Sequence, residues 1–334
     1  MKAATAAPIA AAGSAELPVP GRTSSGDLGA PLYVAWQITN ECNLACLHCL
    51  EESGPGKAFA DELSRERVSA VLKQLVDAQV PYVAFSGGEP LVHPHFFEMA
   101  EYVCANGIQL KVETNAHLLT TESCGRLKDI GVKAVQVSMD GASKATFDRL
   151  RVRGDFDAMM DGLRNLKAAG VPTEINHSPT RFNVHEIADA VDLAWSLGAE
   201  SFFTGRTMYT GNAVKAWGLL EPSEEQYAEY FNALRAKAEQ YEGRMRVCFH
   251  EMGLLEELRY RLENPAALFI ILPNGLVKLI NALPFVCGDL RVESVGEVWA
   301  NFQRSWKDPR VRRFVTDMAA DPRLTRELHR WVRL

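Results

Sequence analysis

Three cysteines, Cys42, Cys46 and Cys49, follow one another with the spacing C-x3-C-x2-C. Three thiolates this close together can occupy three corners of one cuboidal iron–sulfur cluster, a cofactor that favours thiolate ligands. Because no fourth cysteine lies nearby in the sequence, one iron would stay open to bind and activate a small molecule, as the open position of a catalytic zinc site does. The alternative is a structural zinc site in which His48 or a more distant side chain is the fourth ligand.

The other four of the seven cysteines are scattered along the chain as Cys104, Cys124, Cys248 and Cys287. This distribution is unlike a disulfide framework and indicates a metal site in a reducing cytoplasm. The chain has 334 residues and a formal net charge of −6, which gives it no overall attraction to nucleic acid. The sequence contains no run of 18 apolar residues, so no membrane span is predicted.

The order of the predicted elements indicates where such a site would lie. Between residues 31 and 215, short β-rich runs alternate with helical patterns that have apolar residues at three-to-four spacing. The predicted strands are Tyr33–Ile38, Tyr82–Ser86, Gln109–Glu113, Ala134–Ser138, Thr173–His177 and Ser201–Thr204. The predicted helices are Arg65–Ala78, Phe96–Asn106, Thr121–Ile130, Phe156–Ala169 and His185–Leu197. Parallel strands joined by helical crossovers predict an α/β fold, a partial or full βα barrel, with active-site residues at the carboxyl ends of the strands.

Residues 216–334 show a different pattern, and we place a domain boundary near residue 215. An amphipathic helix is predicted at Glu224–Glu242, and a hairpin at Phe269–Ile280 turns at Pro273-Asn274-Gly275. A final helical stretch contains Val298, Trp299, Phe302 and Trp306. Residues 1–30, rich in Ala, Pro, Gly and Ser, predict a flexible N-terminal tail, although Lys2 and the alanines after it faintly resemble a signal peptide.

The cysteine motif at the end of the first predicted strand resembles that of the radical S-adenosylmethionine (SAM) superfamily. The resemblance covers residues 31–215 by motif and extends more weakly to residue 306. It implies that Cys42, Cys46 and Cys49 hold one [4Fe–4S] cluster, whose open iron binds the amino and carboxylate groups of SAM. It also implies that one electron, from a donor such as a flavodoxin or ferredoxin, cleaves SAM to methionine and a 5′-deoxyadenosyl radical.

Two later strand ends resemble SAM-binding motifs of that superfamily. Ser86-Gly87-Gly88-Glu89-Pro90 resembles the GGEP motif that receives the SAM amino group, since glycines let the backbone approach a ligand and Glu89 can pair with an ammonium. Ser138-Met139-Asp140-Gly141 resembles the S-x-D-G motif near the SAM ribose, whose hydroxyl groups suit a hydroxyl and a carboxylate. Read singly, each stretch could instead be an ordinary turn.

Two further positions complete the set. Glu113-Thr114-Asn115 resembles the T-N-G stretch of the superfamily, with Ala116 in place of the glycine. Arg206 resembles the arginine near the SAM carboxylate, which a guanidinium fits bidentately, although a single arginine could also be a surface charge. The residues that the resemblance implies for SAM binding are Gly87, Gly88, Glu89, Pro90, Glu113, Asn115, Ser138, Asp140 and Arg206.

The stretch from Gly275-Leu276-Val277 through Cys287-Gly288-Asp289-Leu290 to Trp299 resembles the tail of the SPASM and Twitch subfamily, which includes the mycofactocin and pyrroloquinoline quinone maturases. Those tails usually bind auxiliary iron–sulfur clusters through several cysteines. Here Ile280 stands where their pattern places a cysteine, and no cysteine follows Cys287. The resemblance implies a partial (β/α)6 radical SAM barrel at 31–215 and a small C-terminal α+β, SPASM/Twitch-like domain at 216–334 without its auxiliary cluster.

Without an auxiliary cluster to accept electrons, we expect a redox-neutral reaction. Decarboxylation of a polar, possibly carboxylated sugar or nucleoside in natural-product biosynthesis is the family-level analogy, taken from the enzyme that decarboxylates cytosylglucuronate. Arg151, Arg153 and His177 could then contact the small-molecule substrate, or could be solvated loop residues and a core histidine. Cys248 or Cys287 could donate a hydrogen atom to a product radical, or could be buried thiols.

A second hypothesis is a maturase that modifies a ribosomally made peptide. Relatives of that kind often have a small peptide-binding domain, for which the residues ahead of Pro31 are too few, so a separate peptide carrier would be the partner. A third hypothesis is a non-catalytic zinc- or cluster-binding module. It gives no reason for the GGEP-like and S-x-D-G-like strand ends.

We predict about four irons and four sulfides per chain after anaerobic reconstitution, the content of one [4Fe–4S] cluster. Replacement of Cys42, Cys46 and Cys49 by alanine should abolish the cluster, because its three ligands are removed. Chemical iron and sulfide analysis of both proteins checks this. About eight irons per chain, or a cluster that persists in the triple variant, would contradict the prediction.

Overall fold

The computed structural model describes residues 28–334. The flexible tail predicted for residues 1–30 therefore lies almost entirely outside the described residues. The strands are β1 Tyr33–Thr39, β2 Tyr82–Gly87, β3 Gln109–Thr114, β4 Ala134–Ser138, β5 Thr173–His177, β6 Ser201–Thr204, β7 Arg246–Phe249, β8 Leu268–Ile271, β9 Leu276–Lys278, β10 Phe285–Asp289 and β11 Val332–Arg333. The helices are α1 Arg65–Asp77, α2 Phe96–Ala105, α3 Thr121–Ile130, α4 Lys144–Leu150, α5 Phe156–Ala169, α6 Ile187–Ser196, α7 Asn212–Leu220, α8 Glu224–Gln240, α9 Leu254–Glu263, α10 Val295–Ser305 and α11 Pro309–Ala320.

The predicted strands and helices are confirmed, with ends that differ by about two residues or less. The signals that specify them are local. Helix α1 begins after Ser64, whose side chain accepts a hydrogen bond from the Arg67 N–H, and its apolar stripe is buried. Helices α3 and α5 end at Gly131 and Gly170, which take the left-handed conformation that favours glycine.

The strands of the described chain form one open mixed sheet in the order β11-β10-β9-β8-β1-β2-β3-β4-β5-β6-β7. Neighbouring strands from β1 to β7 are parallel, and β8 pairs in parallel with the other side of β1. Strand β9 is antiparallel to β8 and β10. The fold is therefore α/β, a partial rather than a closed barrel with an extension, and β7 is a parallel strand that was not predicted.

The C-terminal part of the chain extends both edges of this barrel sheet. Strand β7 continues the sheet beyond β6, and β8 attaches to β1. Residue 215 lies within α7. The domain boundary that we placed near this residue stays a prediction. Ile280 packs against the hydrophobic core. None of the helices between residues 28 and 334 is long and apolar enough to cross a membrane.

Candidate active site

A cavity of about 410 Å³ opens at the carboxyl ends of the barrel strands. Such a volume is within the range of small-ligand sites. Most of the predicted site residues line it: Cys42, Cys46, Cys49, Gly87, Gly88, Glu113, Asn115, Ser138, Arg151, His177, Arg206 and Cys248. The structure does not bring the remaining predicted residues to its lining: Glu89, Pro90, Asp140, Arg153 and Cys287.

The three cysteines of the motif are unpaired thiols on the loop that follows β1, residues 41–53, called here the cluster loop. Burial raises the pKa of Cys42 to about 12 and that of Cys46 to about 11, and it also raises the pKa of Cys49. Since iron and zinc bind thiolates, a metal must displace a proton from each sulfur.

The cysteine motif could hold a cluster or a single ion, and the two need different arrangements of ligands. In the described part of the chain, no group of three or more His, Cys, Asp or Glu side chains is placed to hold one metal ion. A zinc ion needs its ligands within one tetrahedron, whereas a cuboidal cluster takes each thiolate on a different iron. Three thiolates on one loop beside one cavity are a ligand set that a cuboidal cluster can take.

Nitrogen donors also point at the sulfur atoms. The Leu44 N–H donates to Cys42 Sγ at 3.4 Å, and the Asn115 amide lies 3.7 Å from the same sulfur. The Arg151 Nη1 lies 3.7 Å from Cys46 Sγ. Hydrogen bonds to sulfur stabilise the negative charge that iron–sulfur ligation concentrates there. The residues present thus fit a [4Fe–4S] cluster.

Asp140, at the end of β4, is fully buried and joins three segments. Its Oδ2 accepts from the Arg151 Nε at 2.8 Å and lies 2.8 Å from His48 Nε2, and its Oδ1 accepts from the Ser178 N–H at 2.8 Å. Burial alone would raise its pKa, but the Arg151 guanidinium and the His48 hydrogen bond hold the pKa of this carboxyl well below its usual range. A permanently ionised carboxylate therefore connects the cluster loop to β4 and β5.

This network changes two predicted roles. The Asp140 carboxylate is enclosed by Arg151, His48 and Ser178, so the structure does not support its predicted contact with the SAM ribose. Arg151 was predicted to contact substrate, but two of its nitrogens bind Asp140 and the third faces Cys46. In this position Arg151 links the Asp140 carboxylate to the cysteine motif.

Glu89 likewise has a different role from the predicted pairing with an ammonium. It is fully buried, and its carboxylate accepts from the Thr114 hydroxyl and the Asn115 N–H, both at 2.8 Å. Burial raises the pKa of Glu89, and these hydrogen bonds oppose that rise. The side chain therefore fastens the end of β2 to the end of β3, where Asn115 meets the cluster loop.

The two glycines before Glu89 are required by packing. A Cβ on Gly87 would lie 2.3 Å from the Thr39 carbonyl oxygen, and one on Gly88 would lie 2.0 Å from that of Glu41. The backbone that leads into the cluster loop takes up the space where these side chains would lie, and both glycines also line the cavity, where we expect them to admit a ligand. Ala116, at the position of the superfamily glycine, keeps a positive φ of 71°, which is strained for alanine.

Arg206 lies at the cavity with its guanidinium already engaged, whereas His177 has one ring nitrogen engaged and the other, Nε2, buried without a hydrogen-bond partner among the described residues. Arg206 forms a bidentate pair with Glu224, both N–O distances being 2.7 Å, so a SAM carboxylate would have to compete for it. The His177 Nδ1 lies 2.9 Å from the Met139 carbonyl, and the ring stacks near Phe202. Burial lowers the pKa of His177, which keeps the ring neutral and agrees with the core-histidine alternative.

The two candidate hydrogen donors differ in location. Cys248, in β7, lines the cavity, and burial raises its pKa so that the thiol keeps its hydrogen. Cys287 is buried in β10, with its Sγ 3.4 Å from the Val277 carbonyl, away from this cavity. Arg153 is exposed on the loop after α4 and also lies outside the cavity.

Several polar side chains of the cavity were not identified from the sequence. Gln37, Glu51 and Asn281 line it, and the Gln37 amide donates to Asn281 Oδ1 at 3.5 Å, joining β1 to the C-terminal extension. Deeper in the barrel, Lys111 Nζ lies 3.1 Å from Glu174. For Gln37 the sequence did contain a signal, because a polar residue interrupts an otherwise largely apolar strand.

Residues 36–194 match the Radical SAM superfamily. Mycofactocin maturase MftC of Mycobacterium tuberculosis is 36% identical over 213 residues, which are 64% of this chain and 54% of that protein. The AdoMet-dependent heme synthase of Methanosarcina barkeri is 28% identical over 300 residues, 84% of this chain and 86% of that protein. The chain spans about half the length of the mycofactocin maturases that it matches.

Solved structures share the fold. Streptococcus suis SuiB bound to precursor peptide SuiA aligns with a TM-score of 0.67 and 15% identity, over 82% of this chain and 66% of SuiB. anSMEcpe with bound AdoMet and the Cp18Cys peptide aligns with a TM-score of 0.63 and 17% identity, over 82% of this chain and 81% of that one. At such identities the likeness shows the fold alone.

Replacing Asp140 by asparagine should lower the free energy of unfolding by about 3–5 kcal/mol, because the Arg151 charge would remain buried without its partner. Urea unfolding of the metal-free protein, followed by circular dichroism, measures this. Since the Asp140 pKa is depressed in the folded state, the difference should be present at neutral pH and shrink as the pH falls below about 3.9. Glu98→Gln, which breaks the half-exposed pair with Arg65, should change stability little, and an equal loss in both variants would contradict the role of Asp140.

Proposed function

Since residues 36–194 match the Radical SAM superfamily, we propose that the protein holds one [4Fe–4S] cluster through Cys42, Cys46 and Cys49 and uses SAM for radical chemistry on a polar substrate. The observation that supports this most directly is the position of these thiols. They lie at the end of β1, beside the cavity, with N–H donors of Asn115 and Arg151 directed at two of the sulfurs.

When bound, the reduced cluster and SAM supply a 5′-deoxyadenosyl radical that removes a hydrogen atom from the substrate. The chain's own residues bind and orient these groups. Gly87, Gly88, Glu113, Asn115 and Ser138 line the cavity together with the cysteines and are the residues we propose for SAM. Glu89 and Asp140 act indirectly, by holding Asn115 and Arg151 in place. The electron would come from a flavodoxin- or ferredoxin-like donor.

The charged lining of the cavity favours a substrate that donates hydrogen bonds. Glu51 and Glu113 contribute carboxyl groups whose cationic neighbours, Lys278 and Lys111, lie outside the lining, whereas the guanidinium groups of Arg151 and Arg206, which belong to the lining, are already paired with carboxylates. The guanidinium groups that a carboxylated sugar would contact therefore already have carboxylate partners. A substrate rich in hydroxyl, amine or amide N–H groups fits this lining better than one recognised through its carboxylate.

The proposed outcome is redox-neutral, with Cys248 as hydrogen donor. A substrate radical would take the hydrogen atom of the Cys248 thiol, forming a C–H bond and leaving a thiyl radical. One electron and one proton, from the external electron donor and from water, would restore the thiol. Burial favours this role because it raises the pKa of Cys248 and keeps the sulfur protonated. Decarboxylation is one reaction of this class.

A maturase acting on a ribosomally made peptide is the second candidate. The relative with 36% identity is named a mycofactocin maturase, and SuiB was solved with a precursor peptide. Peptide N–H groups are hydrogen-bond donors and would suit the same carboxylate lining. In that case a separate peptide carrier would be the partner.

The reconstituted protein with dithionite should convert SAM to 5′-deoxyadenosine, and the Cys42/Cys46/Cys49→Ala variant should not. Liquid chromatography with mass spectrometry measures the nucleoside. Cys104→Ala is the matched control, because Cys104 lies in α2 away from the cavity and should leave SAM cleavage intact. Equal amounts of 5′-deoxyadenosine from the parent and the triple variant would contradict the proposed cluster site.

In deuterium oxide, turnover should place one deuterium in the product, because the Cys248 thiol exchanges with solvent. Cys248→Ala should lose that product while SAM cleavage continues, and Cys287→Ala should behave like the parent. High-resolution mass spectrometry of substrate and product, with any released carbon dioxide counted, measures both deuterium and oxidation level. A product two hydrogens poorer than the substrate would refute the redox-neutral proposal.

A further inference from the structure

Helix α7 lies across the outer side of the cluster loop, and its first residue contacts two of the three cysteines. The Asn212 backbone N–H donates to the Cys49 carbonyl at 2.9 Å. The Asn212 side-chain amide donates to the Cys46 carbonyl at 3.2 Å. One residue from a distant part of the chain thus satisfies the backbone acceptors of two cysteines.

The residue before it makes this approach possible. Gly211 has φ of 57° and ψ of −135°, a backbone conformation nearly restricted to glycine. A Cβ at this position would lie 2.4 Å from the carbonyl oxygens of both Cys49 and Leu50. Any side chain here would push the start of α7 away from the cluster loop, because both colliding atoms belong to backbone.

The carboxyl end of α7 is held by residues outside the cysteine motif. Leu220 is fully buried against Leu150, and its carbonyl accepts from the Arg181 N–H at 2.7 Å. Nearer the amino end, Lys215 pairs with Glu52 of the cluster loop at 2.8 Å. Helix α7 is therefore held at its carboxyl end by Leu220 and contacts the cluster loop through Asn212 and Lys215.

We infer that Gly211 and Asn212 are positioning residues for the cluster, which they serve by holding the Cys46 and Cys49 backbone. A carbonyl that loses its partner lets the peptide unit rotate, and each cysteine sulfur moves with its own peptide unit. Ligands that are fixed in place bind metal more tightly than ligands that must be ordered first. The inference rests on the proposed cluster at these cysteines.

The test compares two glycines of the same segment. Gly211→Ala introduces the clash, whereas Gly218→Ala is the matched control, since nothing lies within 4 Å of a Cβ there. Parent and variants are reconstituted anaerobically, analysed for iron, and then exposed to EDTA while the cluster absorbance is followed. The parent and Gly218→Ala should retain about four irons. Gly211→Ala should lose its cluster roughly tenfold faster, as expected for the loss of one or two hydrogen bonds.

Asn212→Asp provides a second variant of nearly the same shape, in which the side-chain donor is replaced by a carboxylate oxygen that repels the Cys46 carbonyl. It should also lose iron faster than the parent, by a smaller factor, and its reduced cluster should give a broader electron paramagnetic resonance signal. Circular dichroism of the metal-free proteins checks folding, and if Gly211→Ala does not fold, Asn212→Asp decides the question.

The possible outcomes separate the two proposals. Equal loss rates and identical resonance spectra in the parent, Gly211→Ala and Asn212→Asp would overturn the positioning role alone. A reconstituted parent without iron would overturn the proposed function itself, and this inference with it.

Discussion

The buried Asp140 carboxylate constrains the whole site, because a charge with no access to water must keep every one of its partners. Those partners come from three places in the chain: His48 from inside the cysteine motif, Arg151 from the end of α4, and Ser178 from the exit of β5. Since Arg151 also reaches Cys46 Sγ, one ion pair determines both the packing of these loops and the surroundings of a sulfur atom. Glu89 has the corresponding position near Cys42: its carboxylate accepts from the Asn115 N–H, and the Asn115 side-chain amide lies 3.7 Å from Cys42 Sγ.

The sequence predicted the barrel elements well because each has its own local signal. The stripe of Val68, Leu72 and Leu75 is sufficient to indicate α1. Strand β7, with four residues, and helix α7, with a glycine inside it, have weak local patterns and depend on tertiary pairing. The residues of the site divide in the same way, into those with a local sequence signal and those whose role depends on tertiary contacts. The motifs located the cavity, but a carboxylate such as Asp140 can serve a ligand or the fold equally well, and only its neighbours in space distinguish the two.

The C-terminal extension reaches the cavity by means of polar side chains. Lys278 lies two residues before Ile280, the position of a cysteine in tails of the SPASM type, and only 1% of it is exposed. Its Nζ donates to the Asn281 carbonyl at 3.1 Å, and burial lowers its pKa while Glu51 opposes that change. Glu51 in turn lines the cavity. The extension therefore contributes a buried amine that interacts with a cavity carboxyl group, and Asn281 extends the polar lining beside β1.

The packing of Gly87 and Gly88 against the Thr39 and Glu41 carbonyls has an evolutionary consequence. Selection on folding alone would preserve this glycine pair, even in a descendant whose thiols had mutated and whose chemistry was lost. A GGEP-like stretch in an uncharacterised genome therefore records shared ancestry of the barrel and would survive in a pseudoenzyme. Catalytic competence has to be judged from the three cysteines, because the proposed cluster needs their thiols.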